Sequence, residues 1–426
     1  SKSKQLYICG GCGEQSAQWA GQCKSCGAWN SLEKVVVQAA ADSTPLPLLP
    51  PAAAPQRLSD VSRRGFRSRW RLVLPGENGQ ELGRVLGGGV VPGSLTLVGG
   101  EPGVGKSTLL LQMAAMLTQA STGGATVLYV SGEESVEQIG SRAERMGPAV
   151  GSNPSIFVYS ATRLDAILDE IIRLQPAAVV VDSIQTVYLD EVSSSAGSVT
   201  QVRECATALL QVAKRERIPV FLVGHVTKSG DIAGPRVLEH IVDTVIYMEG
   251  GRQQPVRLVR SIKNRYGNTD EVGVFEMHDD GMQVVPNPSS IFLSDRDLAP
   301  NVSSAVAVVL EGTRPLLMEV QALCSPVPQS SGQPPMRMPS GVDRQRLALL
   351  LAVLGKHTDM RPYSVDVHLN VTGGLEMKEP STDLAVACAI ASSYFEQPIG
   401  RDVVGLGGEL RPVGNIERRI AEAAKV

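Results

Sequence analysis

The chain has 426 residues, of which 43% are hydrophobic and 19% are charged. At roughly 100–200 residues per domain, this predicts two or three globular units and excludes a fibrous or wholly disordered chain. The 40 Lys and Arg residues are offset by 43 Asp and Glu residues, so contact with nucleic acid requires a local basic patch. The sequence has no apolar run near the roughly 18 residues of a membrane helix and no signal-peptide core, which predicts a cytoplasmic protein without a membrane partner.

Seven cysteines, an odd number, favour a reducing compartment over a disulfide framework. Four of them form two Cys-x-x-Cys pairs near the start of the chain: Cys9, Cys12, Cys23 and Cys26. Four thiolates with this spacing can converge on one tetrahedral ion and close its coordination shell. We therefore predict a structural zinc site, Zn²⁺ bound by a C4 zinc finger of residues 1–33. The sequence leaves open whether this module faces DNA or only packs around its metal.

Three further segments follow the cysteine module. Residues 34–57 are rich in Pro and Ala with few charges, which predicts a linker. Residues 58–284 alternate β-branched apolar runs with helical patterns, which predicts a doubly wound α/β domain. Residues 285–426 predict a second, α+β domain, and because the chain ends at Val426 within an apparent helix we expect that domain to be truncated.

The apolar runs predict individual elements in chain order. In the α/β domain we expect parallel strands at residues 95–98, 126–130, 156–159, 178–181, 220–223 and 244–248, with helices such as 108–119 and 164–174 between them. In the α+β domain we expect strands at 305–310, 316–322 and 364–370, and helices at 343–356 and 382–395. The Pro, Ser and Gln residues of segment 325–339 predict an irregular interruption.

A phosphate-binding motif, G-x-x-x-x-G-K-[ST], lies between the first predicted strand and the following helix. Its residues, with the next one along the chain, are Gly100, Glu101, Pro102, Gly103, Val104, Gly105, Lys106, Ser107 and Thr108. Glycines let backbone N–H groups surround phosphates at a helix N-terminus, where the lysine neutralises the β and γ oxygens and the serine holds Mg²⁺. The motif in this context predicts binding of ATP with Mg²⁺.

Acidic residues follow two of the predicted strands. Asp182 ends the strand at 178–181, the expected position of a carboxylate that orients the magnesium shell. Glu133 follows the strand at 126–130 and is our candidate to polarise the attacking water, whereas Glu134 is expected to act as a cap of the next helix. His225 follows the strand at 220–223 and either senses the γ-phosphate or is a structural histidine.

Taken together, the motifs resemble the bacterial RadA (Sms) family of DNA repair and recombination ATPases. The resemblance rests on the paired cysteines, on RVLGGGVVPGS at residues 84–94, on the phosphate motif and on KNRYG at residues 263–267. It covers essentially the whole chain in the same order. Tyr266 replaces the family's usual Phe and keeps the aromatic ring, and Gly83 stands where the family commonly has Asp.

This resemblance implies a RecA-like P-loop ATPase core, related to DnaB-type helicases, that assembles as a homo-hexamer and moves on single-stranded DNA in recombination. It implies branched DNA as a substrate and a RecA-type recombinase as a partner. Lys263 and Arg265 would reach across the subunit interface to the next subunit's γ-phosphate. Two polar loops, 193–200 and 228–236, would line a central channel, with Arg203, Lys228 and Arg236 neutralising DNA phosphates.

The C-terminal segment resembles the peptidase domain of Lon. Ser381 stands at the nucleophile position, but Glu417 stands where the lysine base is required, followed by Arg418 and Arg419. Because arginine cannot act as a base, we predict an inactive Lon-protease-like domain that serves as an assembly platform or a DNA-binding surface. Two other functions remain open, an ATP-dependent protease resembling Lon and a regulatory ATPase ring resembling KaiC that binds no DNA.

Overall fold

The three-dimensional structure is a computed structural model of the chain. It describes residues 4–9, 15–16, 18–24, 26–37, 71–120, 125–225, 238–250, 255–291, 293, 302–327, 334–372, 377, 379–399, 404–405 and 416–423. The chain forms two compact units, the first comprising Ser1–Thr269 with Gly273–Val284 and the second comprising Asp270–Val272 with Val285–Val426.

A small antiparallel sheet opens the first unit. It contains β1 (Lys4–Cys9), β2 (Gln15–Ser16) and β3 (Leu32–Val37), in the order β2-β1-β3. Cys9, at the end of β1, and Cys23 are almost fully buried, and Ala20 packs against them. A core this small cannot stabilise a sheet alone, so the cysteines must supply a further link.

A nine-stranded sheet forms the main body of the first unit. Its strands are β4 (Leu95–Gly100), β5 (Val127–Ser131), β6 (Ile156–Ser160), β7 (Ala178–Asp182), β8 (Val220–His225), β9 (Thr244–Glu249), β10 (Val256–Asn264), β11 (Val272–His278) and β12 (Gly281–Val284). Their order is β12-β11-β10-β9-β4-β8-β7-β5-β6. The strands β4 to β9 pair in parallel, as predicted, and each ends one or two residues beyond its predicted limit.

Helices cover both faces of this sheet. They are α1 (Gly76–Val85), α2 (Lys106–Ala120), α3 (Val136–Arg145), α4 (Pro148–Gly151), α5 (Leu164–Leu174) and α6 (Val199–Glu216). Alternate strand residues enter two separate apolar layers. Tyr129 packs with α2 on one face, whereas Val130 packs with α5 and α6 on the other. Burial on both faces explains the continuous apolar runs in the sequence.

The sheet is mixed rather than purely parallel. Strand β10 pairs antiparallel with β9, and β12 pairs antiparallel with β11. These strands extend the predicted parallel sheet at its β9 edge. Because β10 runs opposite to β4, it begins near the end of the sheet where β4 finishes and ends near the place where β4 starts.

The second unit is α+β. Its sheet has the order β15-β16-β14-β13-β17 and contains β13 (Ser304–Glu311), β14 (Arg314–Pro326), β15 (Arg337–Ser340), β16 (Val365–Val371) and β17 (Val404–Gly405). The helices are α7 (Pro288–Ile291), α8 (Arg344–His357), α9 (Asp383–Phe395) and α10 (Ile416–Ala423). The three predicted strands and two predicted helices are all present. Segment 325–339 is not wholly irregular, because its ends belong to β14 and β15.

Among the helices that the structure describes, none has the length and apolar character needed to cross a lipid bilayer.

Candidate nucleotide site

The phosphate-binding motif connects β4 to α2. Gly103 and Gly105 have φ angles of +79° and +110°, a region that glycine adopts without strain. A Cβ atom added to Gly103 would meet no heavy atom within 4 Å, so the loop is open on that side. Helix α2 begins at Lys106, and its first N–H groups therefore point into the loop. This geometry fits the phosphates of a nucleotide.

Lys106 is buried at the base of the loop, with 4% of the residue exposed. Its Nζ donates hydrogen bonds to the carbonyl oxygens of Gly100, at 2.9 Å, and Glu101, at 3.0 Å. Burial lowers the pKa of Lys106, while the negative charges of Asp182 and Glu133 act in the opposite direction. The ammonium group thus lies in a poorly solvated position, where an added anion would interact with it strongly.

Asp182 and Glu133 lie close to Lys106, as the adjacent strand ends predict. Asp182 is paired in register with Ser131, the last residue of β5, and Tyr129 Oη donates to Asp182 Oδ2 at 2.7 Å. Burial raises the pKa of Tyr129 well above its ordinary value, and the neighbouring negative charge of Asp182 raises that pKa further. Tyr129 therefore remains a neutral donor that holds the Asp182 carboxylate in place.

The oxygen atoms around the loop are of the type that Mg²⁺ binds. The Asp182 carboxylate is buried at the end of β7, and the Ser107 hydroxyl belongs to the first turn of α2. Glu133 is exposed, and its Oε1 accepts a hydrogen bond from Ser183 Oγ at 2.5 Å. Hard oxygen ligands fit the expected cation.

Glu134 does not cap the following helix. The N-cap of α3 is Ser135, whose side chain forms a capping box with Gln138, and Glu134 forms an ion pair with Arg142. The interpretation of Glu134 as a helix cap was therefore wrong, because a serine is available one residue later and its short side chain reaches the N–H of Gln138.

Lys263 and Arg265 lie at the opposite end of the sheet from the phosphate loop. Lys263 is the last residue but one of β10 and pairs with Val245 of β9. Its Nζ donates to the carbonyl oxygens of Glu239 and, at 2.9 Å, Val242. Arg265 Nη1 lies 3.1 Å from Asp243 Oδ1. Lys263 is level with Leu97 and Arg265 with Leu95, so at about 3.3 Å per strand residue their backbones lie roughly 10 and 17 Å from Gly100 at the start of the loop. Both head groups are bonded to residues 239–243, away from the loop. They are therefore outside contact distance of the phosphates bound there.

Two glycine-containing motifs of the sequence contact each other at this edge. A Cβ atom on Gly87 would lie 2.9 Å from the Cα atom of Gly267, so the two backbones pack directly together. Asn264 Nδ2 donates to the carbonyl oxygen of Leu86 at 3.2 Å, and Arg71 donates to that of Tyr266. The glycines of segments 84–94 and 263–267 thus allow a close backbone approach that larger residues would prevent.

The predicted DNA-contacting residues are only partly described. Arg203 is exposed on α6, while Lys228, Arg236 and the side chain of His225 lie outside the described residues; the backbone of His225 pairs with Gly100. The loop before α6 is ordered by Gln201, which is 1% exposed. Its Nε2 donates to the carbonyl oxygens of Leu189, Val192 and Ser194.

The sequence did not indicate Asp243, Lys214, Arg257 or Gln201. Each is important through contacts with residues distant in sequence or through burial, and no short motif contains them. Of these four residues, only Asp243 had a signal in the sequence, because it is an acidic residue immediately before a buried apolar strand.

Three of the four paired cysteines lie together. The Sγ atoms of Cys9, Cys23 and Cys26 are all within 4.8 Å of one another, and those of Cys9 and Cys26 are 3.6 Å apart. Thiolates on a tetrahedral zinc ion, each at about 2.3 Å, stand about 3.8 Å apart, so the described cysteines fit zinc. Cys12 lies outside the described residues.

In the second unit, an arginine contacts the serine at the predicted nucleophile position. Arg419 Nη1 donates to Ser381 Oγ at 3.0 Å and to the carbonyl oxygen of Val308 at 2.6 Å. Arg419 Nη2 and Ser381 Oγ both donate to Glu379 Oε2, at 2.5 and 2.8 Å. The side chain of Glu417 lies outside the described residues. Ser381 thus lies between a permanently charged guanidinium, which donates to it, and the Glu379 carboxylate, which accepts from it and is itself paired with Arg419.

Comparison with known proteins identifies the family. The family described as "AAA domain" matches residues 78–231, and the one described as "Rubredoxin metal binding domain" matches residues 7–34. The DNA repair protein RadA of Bacillus subtilis (strain 168) is 46% identical over 433 residues, covering 100% of this chain and 91% of that protein. The chain belongs to the RadA family of DNA repair proteins.

A second RadA protein, from Synechocystis sp., is 44% identical over 453 residues, and the match covers 100% of this chain and 88% of that protein. Among solved structures, the crystal structure of the RadB recombinase covers 48% of this chain and 97% of its own, at 22% identity and a TM-score of 0.38. Membership of the RadA family confirms the expected zinc ribbon and P-loop ATPase core.

Proposed function

We propose that this protein is a DNA-dependent ATPase and helicase of recombinational DNA repair. It translocates on single-stranded DNA as a homo-hexamer and promotes branch migration of recombination intermediates, together with a RecA-type recombinase. The observation that carries this proposal is the separation of Lys263 and Arg265 from their own phosphate loop along β10. Cations so placed can assist hydrolysis only at a neighbouring subunit's nucleotide.

The groups around the loop support ATP hydrolysis. Lys106 stabilises charge on the β and γ oxygens. Ser107 and Asp182 would hold a Mg²⁺ ion, which would supply further charge neutralisation at the phosphates. Glu133 orients and polarises the attacking water, and the hydrogen bond from Ser183 fixes one of its oxygens. Arg265 of the adjacent subunit contributes a planar cation to the developing charge, as an arginine finger supplied in trans does.

Coupling to DNA follows from the loops of each subunit. Gln201 fixes the loop before α6, so that Arg203 is presented on a defined helical turn. Together with Lys228 and Arg236 it neutralises phosphates of the bound strand, without reading its sequence. Hydrolysis at one interface then moves the loops that grip the strand.

Forked-DNA unwinding and ATPase assays test this function. We expect single-stranded DNA to raise the ATPase rate of the wild type at low salt. Lys106→Ala should abolish hydrolysis and unwinding. Arg265→Ala should retain ATP binding and lose at least about a hundredfold in DNA-stimulated turnover, because removal of an arginine finger costs about 10³–10⁵ in kcat in other systems.

Arg173→Ala provides the matched control. Arg173 lies on the exposed face of α5, where it pairs with Glu170, and its loss should leave turnover unchanged. Full unwinding by Arg265→Ala, or a turnover that does not respond to DNA at low salt, would contradict the proposal.

A further inference from the structure

Asp243 is a buried carboxylate whose two oxygen atoms have different partners. The residue is 1% exposed and immediately precedes β9. Its Oδ2 atom accepts hydrogen bonds from Lys214 Nζ, at 2.6 Å, and from the N–H of Leu95, at 3.1 Å. Its Oδ1 atom accepts from Arg265 Nη1, at 3.1 Å. Lys214, Leu95 and the Tyr266 hydroxyl, which also hydrogen-bonds to this carboxylate, therefore fix it, and its Oδ1 atom is directed at the arginine.

Arg265 is attached to Asp243 at two points. Besides the side-chain contact, the N–H of Arg265 donates to the carbonyl oxygen of Asp243 at 3.1 Å. The side chain of Arg265 is 54% exposed, so the guanidinium is held by one edge at the protein surface. A guanidinium has a rigid fork of donors, and a bond to one nitrogen sets the direction of the others.

The neighbouring residues limit other movements of this segment. Tyr266 Oη lies 3.0 Å from Lys214 Nζ, and Gly267 packs against Gly87. The segment that carries Arg265 is thereby held on one side by α6 and on the other by the glycine segment at 87–89. The Asp243 contact then decides where the arginine head group points.

Asp243 also connects this edge to the strand of the phosphate loop. Its N–H donates to the carbonyl oxygen of Leu95 at 2.9 Å, in addition to the bond that its Oδ2 atom accepts from the N–H of Leu95. Leu95 is the first residue of β4, and Gly100, the last residue of β4, begins the phosphate loop. One rigid strand thus runs from the anchor of Arg265 to the nucleotide site of the same subunit.

We propose that Asp243 is a positioning residue that directs Arg265 toward the γ-phosphate of the neighbouring subunit. The inference rests on the proposed function, because Arg265 must act in trans. A salt bridge that merely stabilises the fold would need no particular direction of the guanidinium. A positioning role instead predicts a specific defect in trans catalysis while the variant's own phosphate loop remains competent.

Mixed assemblies separate these roles. Lys106→Ala subunits have no working loop but offer an intact Arg265, whereas Arg265→Ala subunits have the reverse. Mixing the two should restore DNA-stimulated ATPase activity at the interfaces they share. We expect Asp243→Asn to show the same kind of defect as Arg265→Ala with a smaller loss. Its kcat should fall at least tenfold while the KM for ATP stays within about twofold. Its activity should return on mixing with Lys106→Ala but not with Arg265→Ala.

Two further variants keep the test decisive. Asp243→Glu retains the ion pairs and is expected to fold even if the asparagine variant does not. It displaces Arg265 by about one methylene, and a misplacement of about 1 Å can cost about a hundredfold in rate. Glu81→Gln is the matched control. Glu81 is another buried carboxylate of this unit, and its Oε1 atom accepts from the N–H of Val274 at 3.0 Å. The kcat of the Glu81→Gln variant should match that of the wild type.

The outcomes distinguish the inference from the function it rests on. Failure of Lys106→Ala and Arg265→Ala to complement each other overturns the trans arrangement itself. If that pair complements, but folded Asp243→Asn or Asp243→Glu has the kcat of the wild type, the positioning role alone is overturned. A low kcat in the Asp243 variants that Lys106→Ala cannot restore would show a structural defect and would also overturn it.

Discussion

Arg257 Nε donates to the carbonyl oxygen of Val104 at 2.9 Å, so the second residue of β10 holds the phosphate loop. Arg257 is 7% exposed, and its Nη1 also donates to the carbonyl oxygen of Val256 at 2.9 Å. Burial lowers the pKa of Arg257. The same strand therefore holds its own nucleotide loop at one end and leads to Arg265 just beyond the other.

Replacement of this arginine should weaken nucleotide binding. Arg257→Met keeps the length of the side chain but cannot donate to Val104. A hydrogen bond from a charged donor contributes roughly 1.5–3 kcal/mol, so we expect the KM for ATP to rise about tenfold or more, with a smaller change in kcat. Steady-state ATPase measurements over a range of ATP concentrations test this.

Arg260→Met is the control on the same strand. Arg260 pairs with Glu249 of β9 at 3.2 Å, so its loss removes the same charge while leaving the bond to Val104 in place. Equal KM values for the wild type and Arg257→Met would show that the loop does not depend on this contact.

The buried carboxylate of Asp243 predicts a pH dependence of stability. Burial alone would raise its pKa, but hydrogen bonds from Lys214, Leu95 and Tyr266 and the charge of Lys214 outweigh burial, so the pKa lies below the ordinary value. A carboxyl group with a lowered folded-state pKa stabilises the fold above the unfolded-state pKa, about 3.9, and loses that contribution as pH falls through the folded-state value.

We therefore expect the Tm of the wild type to fall more steeply than that of Asp243→Asn as pH decreases below about 4. The asparagine variant has lost this contribution at every pH, so the two curves should approach each other in acid. Differential scanning calorimetry between pH 7 and pH 3 measures the difference. Parallel curves would mean that Asp243 does not titrate with unfolding.

The sequence specified the local features of the nucleotide site well. The strand ends, the loop and the acidic residues Asp182 and Glu133 follow from periodicity and motif spacing, because the ends of parallel strands meet at one edge of a sheet. The contacts of Asp243 with Arg265, and of Arg257 with Val104, depend on the antiparallel strand β10. No local pattern shows that pairing.

For segment 325–339, the predicted irregular structure was wrong at both ends. Its prolines favoured an irregular structure, yet Arg337–Ser340 forms β15 at the edge of the second sheet. An edge strand tolerates Pro339, because one side of its backbone needs no partner. The pairing is reinforced by Arg337, whose Nη1 donates to the carbonyl oxygen of Val365 at 2.7 Å. Tertiary contacts outweighed local propensity at this position.

The cysteine cluster predicts one zinc ion per chain. Cys26→Ser should remove most of the bound zinc, because a structural site needs all four thiolates. Metal analysis of the purified protein, with a colorimetric zinc assay after thiol oxidation, measures this. We also expect a lower Tm for the ribbon, since its own apolar core is small.

Cys205→Ala is the matched control for this experiment. Cys205 is buried in α6, and burial raises the pKa of its thiol to about 12, so little thiolate forms at neutral pH and its replacement should leave the zinc content unchanged. If the Cys26→Ser variant contained as much zinc as the wild type, the assigned zinc site would be wrong.

The Ser381 cluster predicts a structural role without peptidase activity. Arg419 is 2% exposed and bonds to Ser381, Glu379 and Val308. Arg419→Ala leaves these acceptors without their donor, and loss of one member of a buried ion pair costs roughly 3 kcal/mol, less here because Glu379 is partly exposed. We expect a clear fall in the Tm of the second unit, whereas Arg418→Ala, at the neighbouring exposed position, should change it little.

A casein digest tests the chemistry of the same cluster. A serine nucleophile needs a neighbouring group that takes its proton. Arg419 cannot do so, because a guanidinium remains protonated, and Glu379, which accepts from Ser381, is already paired with Arg419. We expect no cleavage by the wild type and no change in Ser381→Ala. Cleavage that Ser381→Ala abolishes would show that another group, such as Glu379, takes the proton from Ser381, and the cluster would then be a working peptidase site.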